Sequence, residues 1–169
     1  MPDKETIERA REDEREGKSP STQAGEFVRE EMHHIREAKH GAASTKQAIA
    51  IGLSKARRAG VKLNAPKEGE SSPQVRKKAQ RDFRKGESTS NPKPSRTRSR
   101  AISRALKREG HSAASKKSLS RQGRSAAAPR SPASRHQSAM KAVRTKRKGS
   151  LRQTAKKAAT PRSGHHRAA

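Results

Sequence analysis

The chain has 169 residues, 35% charged, 27% hydrophobic and 1% aromatic, with a formal net charge of +27. So little apolar surface at so high a charge cannot offset chain entropy over the full length, which excludes one large domain and leaves room only for a small core. The absence of cysteine excludes disulfides and thiolate metal sites. No apolar run approaches the roughly 20 residues that a membrane-spanning helix needs.

Residues 1–18 are dense in charge, and Ile7 is the only large apolar side chain between positions 3 and 16. This predicts a charged, solvent-exposed helix ended by Gly17. The opening MPDKETIERAREDERE lacks the apolar segment of a signal peptide, so a cytoplasmic protein is expected.

A second helix is predicted over 21–40, STQAGEFVREEMHHIREAKH. Ser19 is placed to cap it and Pro20 to open it. Helical spacing puts Ala24, Phe27, Val28, Met32, Ile35 and Ala38 on one face, with Gly41 as the stop. Glu31 projects near the middle of that apolar face and requires a basic partner or an exit to water.

The third segment, STKQAIAIGLSKARRAG (44–60), carries the clearest helix signals. Ser44 and Gln47 have capping-box spacing, and Gly60 stands where a left-handed C-cap is wanted. Ala48, Ile49, Gly52, Leu53, Ala56 and Ala59 share a face. The short connector from Gly41 to Ser44 makes residues 19–63 an antiparallel helical hairpin whose small residues permit close approach. Its expected core is Phe27, Val28, Met32, Ile35, Ile49, Leu53 and Ala56. A unit of this size is near the lower limit for independent folding. Ile51 points away from the stripe, so either the first helix or a second copy of the chain is expected to cover it, and homo-oligomerisation through the hairpin follows from the second option.

Residues 64–98 read as a linker with a short basic helix at 73–86, where Val75, Ala79 and Phe83 recur every four residues; NPKPSR (91–96) punctuates it. Residues 99–169 are a Lys/Arg/Ser/Ala-rich low-complexity tail, expected to be largely disordered with short transient helices such as 99–110. The fold class is therefore small and all-α.

The blocks EEMHHIREAKHG and STKQAIAIGLSKARRAGVKL resemble an uncharacterised family of small bacterial and phage proteins, which have a Met-His helix followed by a KQAIAIGLSEARRAG-like helix. The resemblance covers about residues 26–63. It departs at Lys55, where many members have Glu, and the head and tail lie outside it. It implies a helical hairpin and a bacterial setting, and no activity. The tail resembles bacterial histone-H1-like tails in composition alone.

Charge distribution carries the functional expectation. Eleven of the sixteen acids lie in residues 1–37, whereas residues 110–169 hold sixteen Lys and Arg and no acid. Such a tail binds phosphate backbones by releasing counterions. The expected contacts are Arg96, Arg98, Arg100, Arg104, Lys107, Arg108, Arg144, Lys146, Arg147, Lys148, Arg152, Lys156 and Lys157, with a further contribution from Lys55, Arg57 and Arg58 on the hairpin. Trp and Tyr are absent and the last Phe is Phe83, so base stacking of the single-strand or RRM kind is not expected. This favours sequence-independent binding of duplex DNA, in the manner of a nucleoid-associated protein. An interaction module with a polycationic tether (stress, plasmid or phage related) and an RNA- or ribosome-associated factor are the alternatives.

His33, Glu37 and His40 fall on one polar helix face, and His34 is adjacent. They read as solvated surface groups, and neither a metal nor another cofactor is expected. EGKS (16–19) lacks the earlier glycine of a phosphate-binding loop. No other catalytic motif stands out, so the chain is not expected to be an enzyme.

Overall fold

The computed structural model describes residues 2–88 and 95–159. Helix α1 spans Lys4–Arg15. It ends as the sequence predicts, with Gly17 at φ +68° and the Lys18 amide donating to the Asp13 carbonyl at 2.8 Å. It is not a solvent-exposed helix, however. Thr6, Ala10 and Asp13, spaced one helical turn apart, are buried, Ile7 packs into a core cluster, and Arg9 Nε reaches Glu26 Oε2 at 2.8 Å. One apolar residue flanked by small ones is enough for a helix to dock when its partner offers both a greasy groove and a carboxylate.

Helix α2 spans Pro20–Arg36. Ser19 occupies the cap position, but its hydroxyl bonds Ser21 and Thr22 hydroxyls instead of a helix amide. The helix stops a turn earlier than Gly41. Ala38 adopts φ +57°, and Lys39 N–H donates to the His34 carbonyl at 3.0 Å while Ala38 N–H donates to Ile35 at 3.2 Å. This is a Schellman closure built on a residue with a Cβ, a conformation that costs about 1–2 kcal/mol outside glycine. Gly41 serves a different purpose. A Cβ there would lie 1.9 Å from the Glu109 carbonyl oxygen, and its own amide donates to the Leu106 carbonyl at 2.8 Å.

Helix α3 spans Thr45–Arg58. Ser44 Oγ accepts from Gln47 N–H at 3.1 Å, and Gln47 Oε1 accepts from Ala43 N–H at 2.8 Å. Gly60 closes the helix at φ +95°, with Val61 N–H returning to the Ala56 carbonyl at 3.1 Å. The two hairpin helices meet closely at Gly52, where a Cβ would fall 2.7 Å from Val28 Cα.

All seven expected hairpin core residues contribute. Phe27, Met32, Ile35 and Ala56 are buried, and Val28, Ile49 and Leu53 pack against them half-buried. They divide into two clusters. One joins Phe27, Ala24 and Ala56 to Ile7 and Ala10 of α1 and to Val61 and Leu63. The other joins Met32, Ile35 and Ala48 to Ala42, Ala113, Ala114 and Leu119. Each end of the hairpin is thus covered by a segment of its own chain.

Residues beyond the hairpin therefore fold further than a linker and a loose tail. Helix α4, Pro73–Glu87, packs on α3 through buried Ala79 and Asp82. At its end a Cβ on Gly86 would lie 1.9 Å from the Arg57 carbonyl oxygen. Val75, expected on this face, is 48% exposed, because Asp82 and Gly86 set the contact. Helix α5 spans Arg96–Arg108 and is followed by a 3-10 turn at Ser112–Ala114 and helix α6 at Lys116–Ala127. Thr45 Oγ1 donates to the Ala113 carbonyl at 2.7 Å and Arg36 Nε to the Ala114 carbonyl at 3.0 Å. The compact unit runs to Gln122, so boundaries at 63 and 98 divide a packed body.

The second unit begins at Gly123 and contains helix α7, Pro132–Ala159. Ser131 caps it, accepting from Ser134 N–H at 3.2 Å. Alanine, lysine, arginine and glutamine favour helix, and Gly149 is the only interior breaker. Met140 and Val143 are exposed, so this helix contributes no core among the described residues. The chain is all-α over its described length, and none of its described helices is long and apolar enough to cross a membrane.

Candidate functional site

Helix α5 is the densest cationic surface on the first unit. At 3.6 residues per turn, Arg96, Lys107, Arg100, Arg104 and Arg108 fall within an arc of about 120°, and Arg98 lies outside it. All six are exposed, and none forms an ion pair among the described residues. The opposite side carries Ile102 and half-buried Leu106. Leu106 is near the point where α5 is tied to the hairpin through the Gly41 amide. The arc is thus a cationic face on a helix anchored at its C-terminal end.

In the second unit, Arg144 and Arg147 of α7 are exposed. The side chains of Lys146, Lys148, Arg152, Lys156 and Lys157 lie outside the described residues.

The three hairpin cations each have partners within the protein, although the Arg58 side chain stays 54% exposed. Lys55 Nζ lies 2.7 Å from Glu31 Oε2 and 3.5 Å from Glu30 Oε1. Arg57 is buried, and its guanidinium donates to the Leu63 and Asn64 carbonyls at 3.1 and 3.2 Å, fixing the chain as it leaves α3. Burial pushes its pKa below the ordinary arginine value, and the Asp82 charge partly opposes the shift. Arg58 Nε donates to Asp82 Oδ1 at 3.0 Å, and Ser54 Oγ donates to Asp82 Oδ2 at 2.6 Å. A buried carboxylate on α4 claims Arg58, a buried pair on α2 claims Lys55 and two backbone carbonyls claim Arg57, and none of these arrangements is visible from α3 alone.

The histidines also differ from the expected polar face. His33 remains exposed beside Glu37 at 3.3 Å, and His40 parts from them. The Ala38 turn returns His40 to Glu31, with Nε2 3.3 Å from Oε1. His34 is nearby, its ring centroid 6.1 Å from that of His40. Its Nε2 lies 3.3 Å from Asp3 Oδ2 and its Nδ1 3.9 Å from Glu30 Oε1. Two sets of ligand atoms result, Glu31–His34–His40 and Asp3–Glu30–His34, each within 4.8 Å. The sequence signal was the carboxylate of Glu31 on an apolar face; the roles of Asp3 and His40 depend on a docked helix and a turn that no spacing announces.

Lys18 of the EGKS stretch pairs with Asp13 at 2.6 Å and Glu16 at 3.0 Å, which raise its pKa. It is therefore engaged by acids and does not offer a free phosphate ligand.

Residues 17–68 match a family of unknown function, DUF6496. The matched segment encloses α2, α3 and the connector between them, including the Glu31–His34–His40 cluster, and stops short of α4 and α5. No curated protein and no solved structure matches the chain.

Proposed function

We propose that the chain binds duplex DNA without sequence preference, as a nucleoid-associated protein of histone-H1-like type in a bacterial cytoplasm. The observation that carries this reading is the arc of Arg96, Arg100, Arg104, Lys107 and Arg108, exposed and without an acidic partner among the described residues. A row of cations on one helix face tracks a phosphate strand and releases its condensed counterions, which supplies affinity without reading bases. The acid-free stretch from Gly110 onward adds sixteen Lys and Arg to the same purpose. The packed unit up to Gln122 is a holder for α5, tying its end to the hairpin at Gly41 and Ala42. This is a binding role, and no side chain is assigned to catalysis.

The test is an electrophoretic mobility-shift series on the full chain with two duplexes of unrelated sequence, single-stranded DNA and a structured RNA. Equal affinity for both duplexes, above that for the single strand, supports the reading. Binding confined to RNA, or to one duplex sequence, contradicts it.

A further inference from the structure

The first half of the molecule contains a buried carboxylate whose surroundings are incomplete. Glu31 is fully buried, and neither carboxylate oxygen accepts a hydrogen bond. Lys55 supplies charge at 2.7 Å from Oε2 without meeting hydrogen-bond geometry. Oε1 instead faces His40 Nε2 at 3.3 Å.

The opposite ring nitrogen shows what that face of His40 presents. His40 Nδ1 lies 3.1 Å from the Gly41 carbonyl oxygen, which can only accept, so Nδ1 carries the proton. In the neutral ring Nε2 then offers a lone pair to a carboxylate oxygen. Two acceptors facing each other are held by a positive centre between them, either a proton on Nε2 or a metal ion. Two ligands of a tetrahedral zinc are separated by about 3.3 Å when each bond is near 2.0–2.1 Å, which matches the His40–Glu31 separation. His34 completes a three-residue set with all ligand atoms within 4.8 Å. Whichever nitrogen of His34 takes the ion, the other meets a carboxylate, Asp3 beside Nε2 or Glu30 beside Nδ1. A carboxylate behind a histidine is the usual support for a zinc ligand, and so is a backbone carbonyl behind the other. Three carboxylates (Asp3, Glu30 and Glu31) face two ammonium groups, Lys55 in contact and Lys39 at longer range, so the local charge stays negative and favours a cation.

We propose that Glu31, His34 and His40 bind a zinc ion that clamps the strained turn between α2 and α3, with water in the fourth position. Asp3 orients His34 through Nε2, which leaves Nδ1 for the ion, and Lys55 lies against the outer oxygen of Glu31. The role is structural: the ion ties the segment after Ala38 back onto α2, and through Asp3 it draws in the start of α1.

The test uses full-length protein stripped with a chelator and titrated with zinc chloride against a colorimetric competitor. One equivalent is expected to bind and to raise the thermal midpoint. His40→Ala and His34→Ala should each weaken zinc binding by more than about 100-fold and Asp3→Ala by about 10- to 100-fold, while His33→Ala leaves it unchanged. Because a substitution at His34 could disturb folding, a second measurement uses the unaltered chain. In its NMR spectrum the ring resonances of His34 and His40 should shift together on adding zinc, and those of His33 should not. Rings that respond to pH but not to zinc, or binding that survives His40→Ala unchanged, overturn the proposal.

Discussion

Arg57 on α3 and Arg104 on α5 are the same residue type on two helices of one packed unit, and their fates differ. Arg57 is buried and spends its donors on two backbone carbonyls, whereas Arg104 is exposed with no acidic partner among the described residues. The difference lies in the acceptors nearby. The Leu63 and Asn64 carbonyls draw Arg57 inward, as Glu30 and Glu31 draw Lys55 and Asp82 draws Arg58. Between Glu87 and Glu109, and again from Gly110 onward, there is no acid at all, so cations there face water and whatever anion arrives. Charge in this chain is thus structural where acids accompany it and available for binding where they do not.

The contrast breaks most sharply at the buried pair. Lys55→Met leaves Glu31 as a buried carboxylate without its cation and is expected to cost about 3–5 kcal/mol in urea unfolding. Phe27→Ala, which empties a fully buried site, should cost a similar 3–5 kcal/mol or so. Neutralising an exposed cation such as Arg104→Gln should change stability by no more than about 0.5 kcal/mol.

A smaller effect is expected at the close approach of α2 and α3. Gly52→Ala drives a Cβ into the Val28 backbone and should cost about 1–3 kcal/mol by the same assay. Ser44→Ala removes the α3 cap bond and should cost about 1 kcal/mol.

The smallest effect belongs to Lys18. Asp13 and Glu16 raise its pKa above the ordinary 10.5, so the folded state holds that proton more tightly than the unfolded one. Its stabilisation is complete below pH 10.5 and is lost as pH rises through the elevated value. Lys18→Met should flatten that alkaline loss, measured as thermal midpoint against pH.

Much of the hairpin is legible in the sequence because its signals are local. The S-x-x-Q spacing at Ser44, the glycine at 60 and the apolar stripe through Phe27, Ile35 and Ala56 each act within a few residues. What escapes is non-local. Ala113 and Ala114 have no periodicity that marks them as core, yet they close one end of the hairpin. Ala38 gives no hint of a left-handed turn, since glycine three residues later is the stronger stop signal. Glu31 was conspicuous on its apolar face, but the partners that answer it come from α3 and from the turn. The cations of α5 are legible as a cluster; that they lie exposed while Lys55 and Arg57 do not is a matter of tertiary packing.

The most direct measurement is the salt dependence of duplex-DNA affinity for the full chain and for a variant with Arg96, Arg100, Arg104, Lys107 and Arg108 all changed to Gln. If the α5 arc lies along a phosphate strand, the slope of log K against log salt becomes shallower by about 4–5 in the variant, at roughly 0.9 per lost contact. Equal slopes for the two proteins, or no binding by the full chain at physiological ionic strength, contradict it.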